Sequence, residues 1–163
     1  RATGIAAVGL SAALLFAQSA YDNYEQYEDP RNPYVYVHTS SELFNLIDRF
    51  EETVSVIPAS KQTVTIQVIS PHGYSPLQWY LRDYAHTGYY TDSIPKWPLA
   101  DIILFPPSME KQIIRAVCSG PKYEMYIPLD EEVMLRPGVF LTGCMKYKLE
   151  KEATRARFRA RNQ

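Results

Sequence analysis

The chain has 163 residues, a formal net charge of −1 at pH 7 and 13 Tyr among 13% aromatic residues. This length suits one domain with something left over. The near-neutral balance excludes a global basic field that would draw in nucleic acid. Cys118 and Cys144 lie far apart, with no CxxC and no Cys/His cluster, which argues against a zinc site. Each sits in an apolar context. They are expected to be buried thiols, with a disulfide as the alternative.

Ala2 to Ala20 carries no charge and is rich in Ala, Gly and Ser. At about 1.5 Å per residue such a helix spans roughly 28 Å, near the hydrocarbon thickness of a bilayer. Arg1 lies at one end. Tyr21, Tyr24 and Tyr27, among Asp22, Glu25, Glu28 and Asp29, lie at the other. Positive charge favours the cytoplasmic side, so the remainder is expected outside. The rival readings are a signal peptide cleaved near Ala17-Gln18-Ser19 and a buried soluble helix. The start at Arg1 rather than Met points to a fragment or processed product, so the span reads as the last membrane helix of a multi-pass protein. The expected divisions are this helix (1–20), a juxtamembrane linker (21–33), an extracytoplasmic α/β domain (34–149) and a basic tail (150–163).

Tyr34 to His38 (YVYVH) has the β-branched and aromatic character of a strand. Thr39 and Glu42 form a T-x-x-E capping box. Leu43, Leu46, Ile47, Phe50 and Val54 then share one helical face. Val64 to Ile69 is a second strand. Ser75 and Gln78 suggest another capping box, with Pro76 at the first helical position. On that helix Leu77, Tyr80, Leu81 and Tyr84 form the core face, leaving Trp79, Arg82 and Asp83 outside it. Asp101 to Phe105 is a short apolar strand of the doubly buried kind. Ser108 can cap a third helix with Met109, Ile113, Ala116 and Val117 on one face, stopped by Gly120.

This alternation predicts an α/β fold: a small three-layer Rossmann-like sheet, mostly parallel. Tyr123–Pro128 and Val139–Tyr147, joined through Pro137-Gly138, add an antiparallel hairpin at the sheet edge. The final segment carries Lys151, Arg155, Arg157, Arg159 and Arg161, and reads as a frayed basic helix or a disordered tail.

Ligands of open α/β sheets gather beyond the carboxyl ends of the strands. Here that edge would hold His38-Thr39-Ser40, the loop from Ser70 to Tyr74 with His72, and Pro106-Pro107-Ser108. Imidazoles, hydroxyls and aromatic faces there suit a sugar or polar head group. Against this, Thr39, Ser75 and Ser108 are already explained as helix caps, and His38 can simply satisfy a backbone group. Trp79, Arg82, Asp83 and Tyr89 complete the candidate contacts, and local packing is their plainer reading. No GxGxxG, GxxxxGK[ST], G-x-S-x-G, HExxH or DxD motif exists in the chain. Phosphate cradles, nucleophile elbows and metal loops of those kinds are therefore not expected, and no catalytic residue, metal or cofactor is assigned.

The final apolar span followed by "NPYVYVHTS", "PLQWYLRDY…TGYY", "ADIILFPPS" and "LRPGVFL" resembles the carboxy-terminal region of multi-pass membrane proteins related to dolichyl-phosphate-mannose protein mannosyltransferases, sometimes labelled flippase-activity-associated. The resemblance covers about residues 2–147 and is most specific at Asn32-Pro33-Tyr34 and Pro76–Tyr84. It implies an integral membrane glycosyltransferase of GT-C architecture that takes a sugar from a polyprenyl-phosphate donor on the outer face. It implies a catalytic acidic residue in a first external loop, outside this chain. The domain would then be an accessory one, its partners being membrane lipid, the preceding transmembrane bundle and a lipid-linked sugar or glycan acceptor. The alternative is a non-catalytic, membrane-anchored module binding a glycan or partner through His72, Trp79 or Tyr89. A free-standing secreted enzyme is disfavoured, because no nucleophile–base set is visible.

Overall fold

The computed structural model describes residues 2–27, 29, 31–32, 39–55, 60–91, 93–94, 99–120 and 125–161. The strand expected at Tyr34–His38, with His38 itself, lies outside them.

Helix α1 (Ala2–Tyr24) follows from an uncharged run of good helix formers. It is long and apolar enough to cross a membrane, and none of its apolar window is buried by the rest of the chain. Phe16, for instance, is 77% exposed.

Helix α2 (Ser41–Val54) buries Leu43, Leu46, Phe50 and Val54, with Ile47 partly covered, as the spacing predicts. Its cap is one residue later than expected. The Ser40 hydroxyl, not Thr39, accepts the Glu42 N–H at 3.2 Å. The Glu42 carboxylate does not fold back into a capping box. It accepts the Met134 N–H at 2.6 Å instead, tying the start of the helix to a distant strand.

After the single turn α3 (Ser60–Thr63), strand β1 (Thr65–Ile69) enters the sheet. The helix expected from Pro76 is reduced to one turn, α4 (Leu77–Tyr80). The Ser75 side chain does not cap it, and Pro76 has non-helical dihedrals (φ −95°, ψ 9°). Leu77, Leu81 and Tyr84 are nevertheless buried and Tyr80 partly so, as that face required. The turn is short because His86–Tyr90, unassigned by sequence, forms strand β2 on the open edge of β1.

Strand β3 (Ile102–Phe105) is buried along its whole length. A 3₁₀ turn (Pro107–Met109) leads into α5 (Glu110–Cys118). Ser108 lies inside that turn rather than at a cap. The hairpin is β4 (Tyr126–Arg136) and β5 (Val139–Lys146), turned at Gly138 with φ +78°. The chain ends in α6 (Tyr147–Arg161).

Among the described residues the sheet order is β2-β1-β3-β5-β4. β1 pairs in parallel with β2 and with β3, and β5 pairs antiparallel with β3 and with β4. The result is an α/β fold with a parallel centre, an antiparallel edge and one N-terminal apolar helix. Alternate residues of the central strands enter two buried clusters. Ile66, Val68, Ile102, Leu104, Leu141 and Met145 pack with α2. Ile69, Ile103, Phe105 and Cys144 pack with Met109 and Ile113. Of the two forms expected for the basic tail, the helix is present. Leu149 and Ala153 are buried, and Arg157 places Nη2 3.3 Å from Thr53 Oγ1 and Nε 3.2 Å from the Glu52 carboxylate. Cys144 is buried but Cys118 is exposed, and both are free thiols. The expectation that both are buried therefore fails at Cys118, which lies at the solvent-facing end of α5.

Candidate functional site

The parallel strands deliver their carboxyl ends to one edge. At the end of β1 the Ser70 N–H donates to Tyr90 O at 2.8 Å, prolonging the pairing with β2. The Ser70 hydroxyl then donates to Gly73 O at 2.8 Å. Gly73, at φ +85°, makes the turn that a side chain would strain. His72 sits exposed on this turn, and its carbonyl accepts from the Arg136 guanidinium. Next to it, the Tyr74 and Tyr89 rings lie 5.2 Å apart, and the Tyr74 hydroxyl lies 3.1 Å from Thr91 Oγ1. Burial pushes the Tyr89 phenol up from its ordinary pKa, so it stays a neutral hydrogen-bonding group.

A second feature occupies α4 and the turn after it. The Arg82 guanidinium lies 4.2 Å from the centre of the Trp79 ring. Its Nη1 donates to Trp79 O at 2.9 Å, and its Nε lies 3.9 Å from the Asp83 carboxylate. Trp79 remains 66% exposed, so the stack covers little of the core. Beside it, Tyr80 meets Phe44 of α2 edge-on at 5.5 Å. Such a surface offers a planar aromatic and cationic face to a flat or amphipathic partner.

By element, the sequence candidates therefore fall into two groups. Trp79, Arg82 and Asp83 are brought together at α4. His72 and Tyr89 lie at the carboxyl ends of β1 and β2. His38 is outside the described residues. Among the described residues no group of three or more His, Cys, Asp or Glu side chains is placed to hold a metal ion.

The opposite edge carries a feature that no sequence motif announces. A cavity of about 430 Å³ opens at the amino-terminal ends of β1, β2 and β3, lined among others by Thr65, Gln67, His86, Tyr90, Asp101 and Lys146. Its polar wall is organised by Asp101. Asp101 Oδ2 accepts from Thr65 N and Oγ1 at 2.9 and 2.8 Å, and Oδ1 lies 3.3 Å from Lys146 Nζ. The sequence signal was Gln67, a polar residue in the middle of a largely apolar strand, together with Asp101 just before a wholly buried one.

No family model, curated protein or solved structure matches this chain.

Proposed function

We propose that this chain is the accessory extracytoplasmic domain of a multi-pass membrane glycosyltransferase using a polyprenyl-phosphate-linked sugar, with the catalytic acidic residue outside these 163 residues. The observation that carries the reading is α1. A helix of membrane length, uncharged from Ala2 to Ala20, leaves its apolar surface uncovered by a domain that has buried clusters of its own. Lipid and neighbouring membrane helices are its natural cover, and its small residues suit close helix contact. Arg1 before the helix and the acidic, Tyr-rich segment after it favour a domain outside the cytoplasm. The two buried clusters support the finer description of the sheet as the middle layer of a three-layer, Rossmann-like domain.

The test compares the whole protein in membranes, supplied with polyprenyl-phosphate sugars, with a form ending near Tyr21. Transfer by the whole protein and none by the shortened form supports an essential accessory domain. Equal transfer removes the domain from the reaction. No transfer by either rejects the glycosyltransferase reading.

One observation favours a second reading, a non-catalytic module anchored by α1 that binds a glycan or partner protein. The exposed Trp79–Arg82 stack is a contact surface with no packing duty that would require it.

A further inference from the structure

The cavity at the amino-terminal edge shares β2 with Tyr89 but is lined by none of the sequence candidates, and three observations give it the character of a ligand site. Gln67 is only 9% exposed, yet its amide is half used. Its Oε1 accepts the Ala100 N–H at 3.3 Å, which fixes the orientation of the amide. Its Nε2 has no hydrogen-bond partner among the described residues, and Gln67 lines the cavity. That donor is therefore open to water or a ligand.

The second observation is the ring of Tyr90. A Cβ at Gly88 would lie 3.0–3.3 Å from Tyr90 Cε2, Oη and Cζ. The phenol end thus occupies the space a side chain at position 88 would fill, and it brings a hydroxyl and an aromatic edge to the cavity. A side chain at position 88 would make the ring give way by a few tenths of an ångström.

The third observation is charge. Asp101 and Lys146 face the cavity as a pair, 3.3 Å apart. An anion entering would meet the carboxylate, and a cation would meet the ammonium. With the pair balanced, a neutral ligand is preferred. His86, exposed at the start of β2, adds a further group able to donate or accept. Leu99 and Ala100 supply apolar wall between the polar groups. The volume of about 430 Å³ lies within the usual range for small-molecule sites. A ligand with several hydroxyls on a small carbon ring matches this mixture, with donors and acceptors around its rim and C–H surface between them.

We propose that the cavity at the amino-terminal ends of β1, β2 and β3 binds a neutral sugar unit, with Gln67, His86 and Tyr90 supplying its hydrogen bonds. The assignment rests on the cavity alone and does not require the transferase reading, so failure of sugar transfer leaves it standing.

The experiment uses the whole chain in lipid nanodiscs. The probes are methyl mannopyranoside, methyl glucopyranoside and N-acetylglucosamine, with inorganic phosphate and acetate as charged competitors, and saturation-transfer NMR is the readout. Saturable binding of at least one sugar is expected, with no displacement by phosphate or acetate. His86→Ala and Tyr90→Phe should each weaken it about 3- to 10-fold, the loss of one hydrogen bond. Gln67→Leu should weaken it at least as much. Lys111→Ala, on the surface of α5, should change nothing. His86 is exposed and Tyr90→Phe removes one atom, so these two variants keep the test valid if Gln67→Leu fails to fold. The proposal is overturned if none of the sugars binds at millimolar concentration, if binding is the same in His86→Ala and Tyr90→Phe, or if phosphate displaces the sugar.

Discussion

Thr65 and Asp101 hold each other reciprocally across the starts of β1 and β3. Thr65 donates its N–H and its hydroxyl to Asp101 Oδ2 at 2.9 and 2.8 Å, and Asp101 donates its own N–H to Thr65 Oγ1 at 2.9 Å. The Asp101 carbonyl also accepts the Lys146 N–H at 2.8 Å, so the knot reaches a third strand, β5. Hydrogen bonds to a charged group are each worth about 1.5–3 kcal/mol. Asp101→Ala should therefore cost about 2–4 kcal/mol in urea unfolding followed by circular dichroism. Asp101→Asn keeps an acceptor at the same place and should cost less. Equal stability of Asp101→Ala and the parent chain would show that the strands are registered by their apolar residues alone.

Gly143 is the position in the sheet least able to change. A Cβ there would lie 2.7 Å from Leu129 Cδ1 and 2.8 Å from both Ile103 O and Leu104 Cδ2. The two leucine side chains could give way, but the carbonyl belongs to the ladder between β3 and β5 and cannot. Gly143→Ala should cost about 3 kcal/mol, at the upper end of ordinary overpacking. Gly138 offers the contrast. A Cβ there meets nothing, and only its φ of +78° opposes a side chain. Gly138→Ala should cost about 1–2 kcal/mol. Thermal melting of both variants checks the order, and a milder effect at Gly143 would mean that β5 can move away from β3.

Helix α6 makes a similarly direct prediction. Ala153 is fully buried where this helix lies against α2. Ala153→Asp places a charge in that contact and should cost more than about 2 kcal/mol. Removing residues 150–163 should also lower the melting temperature, whereas loss of a disordered tail would leave it unchanged.

The strong periodicities carried most of the fold. The face of α2 and the apolar runs of β1 and β3 were legible because burial selects them, and the turn at Gly138 because its positive φ favours glycine. The local signals that failed were outbid by distant partners. The expected T-x-x-E box at Thr39 lost because Glu42 is held by Met134, 92 residues on. The S-x-x-Q box at Ser75 lost because β2 completes the edge of β1, which no spacing within Ser75–Tyr90 announces. The cavity was hidden for the same reason. Gln67 within β1, His86 at the start of β2, Asp101 just before β3 and Lys146 at the end of β5 are brought together only by the sheet order.

The Cys144 thiol and the buried phenols make the domain sensitive to alkali. Burial raises the Cys144 thiol from its ordinary 9.0 to about 12. It raises Tyr84 as well, with the charge of Glu51 and a hydrogen bond to it adding to the effect, and burial also raises Tyr89. All three are acids whose folded pKa lies above the unfolded value. Their contribution is complete below the unfolded pKa and is lost as pH rises through the folded one. For Cys144 that window runs from about pH 9 to about 12. Unfolding free energy should fall across it by up to about 1.4 kcal/mol per pH unit for the thiol. Cys144→Ala should flatten part of this slope in urea unfolding measured at successive pH values. At pH 8 a thiol reagent should modify Cys118 in the folded chain and reach Cys144 only after unfolding. Rapid modification of both would place Cys144 nearer solvent than its burial implies.

The Trp79–Arg82 stack separates function from stability most cleanly. An exposed cation–aromatic contact is worth only about 0.5–1 kcal/mol, and Trp79 is mostly solvent-facing. Trp79→Ala and Arg82→Ala should therefore melt within a few degrees of the parent chain. If this surface meets the membrane-embedded half or a glycan, both variants should lose sugar transfer several-fold in the whole protein. Arg82→Lys should then fail to restore it, because an ammonium keeps the charge without the planar stack. Full transfer by both alanine variants would return the pair to a purely local role. It would also leave the second reading, a binding module, needing some surface other than this one.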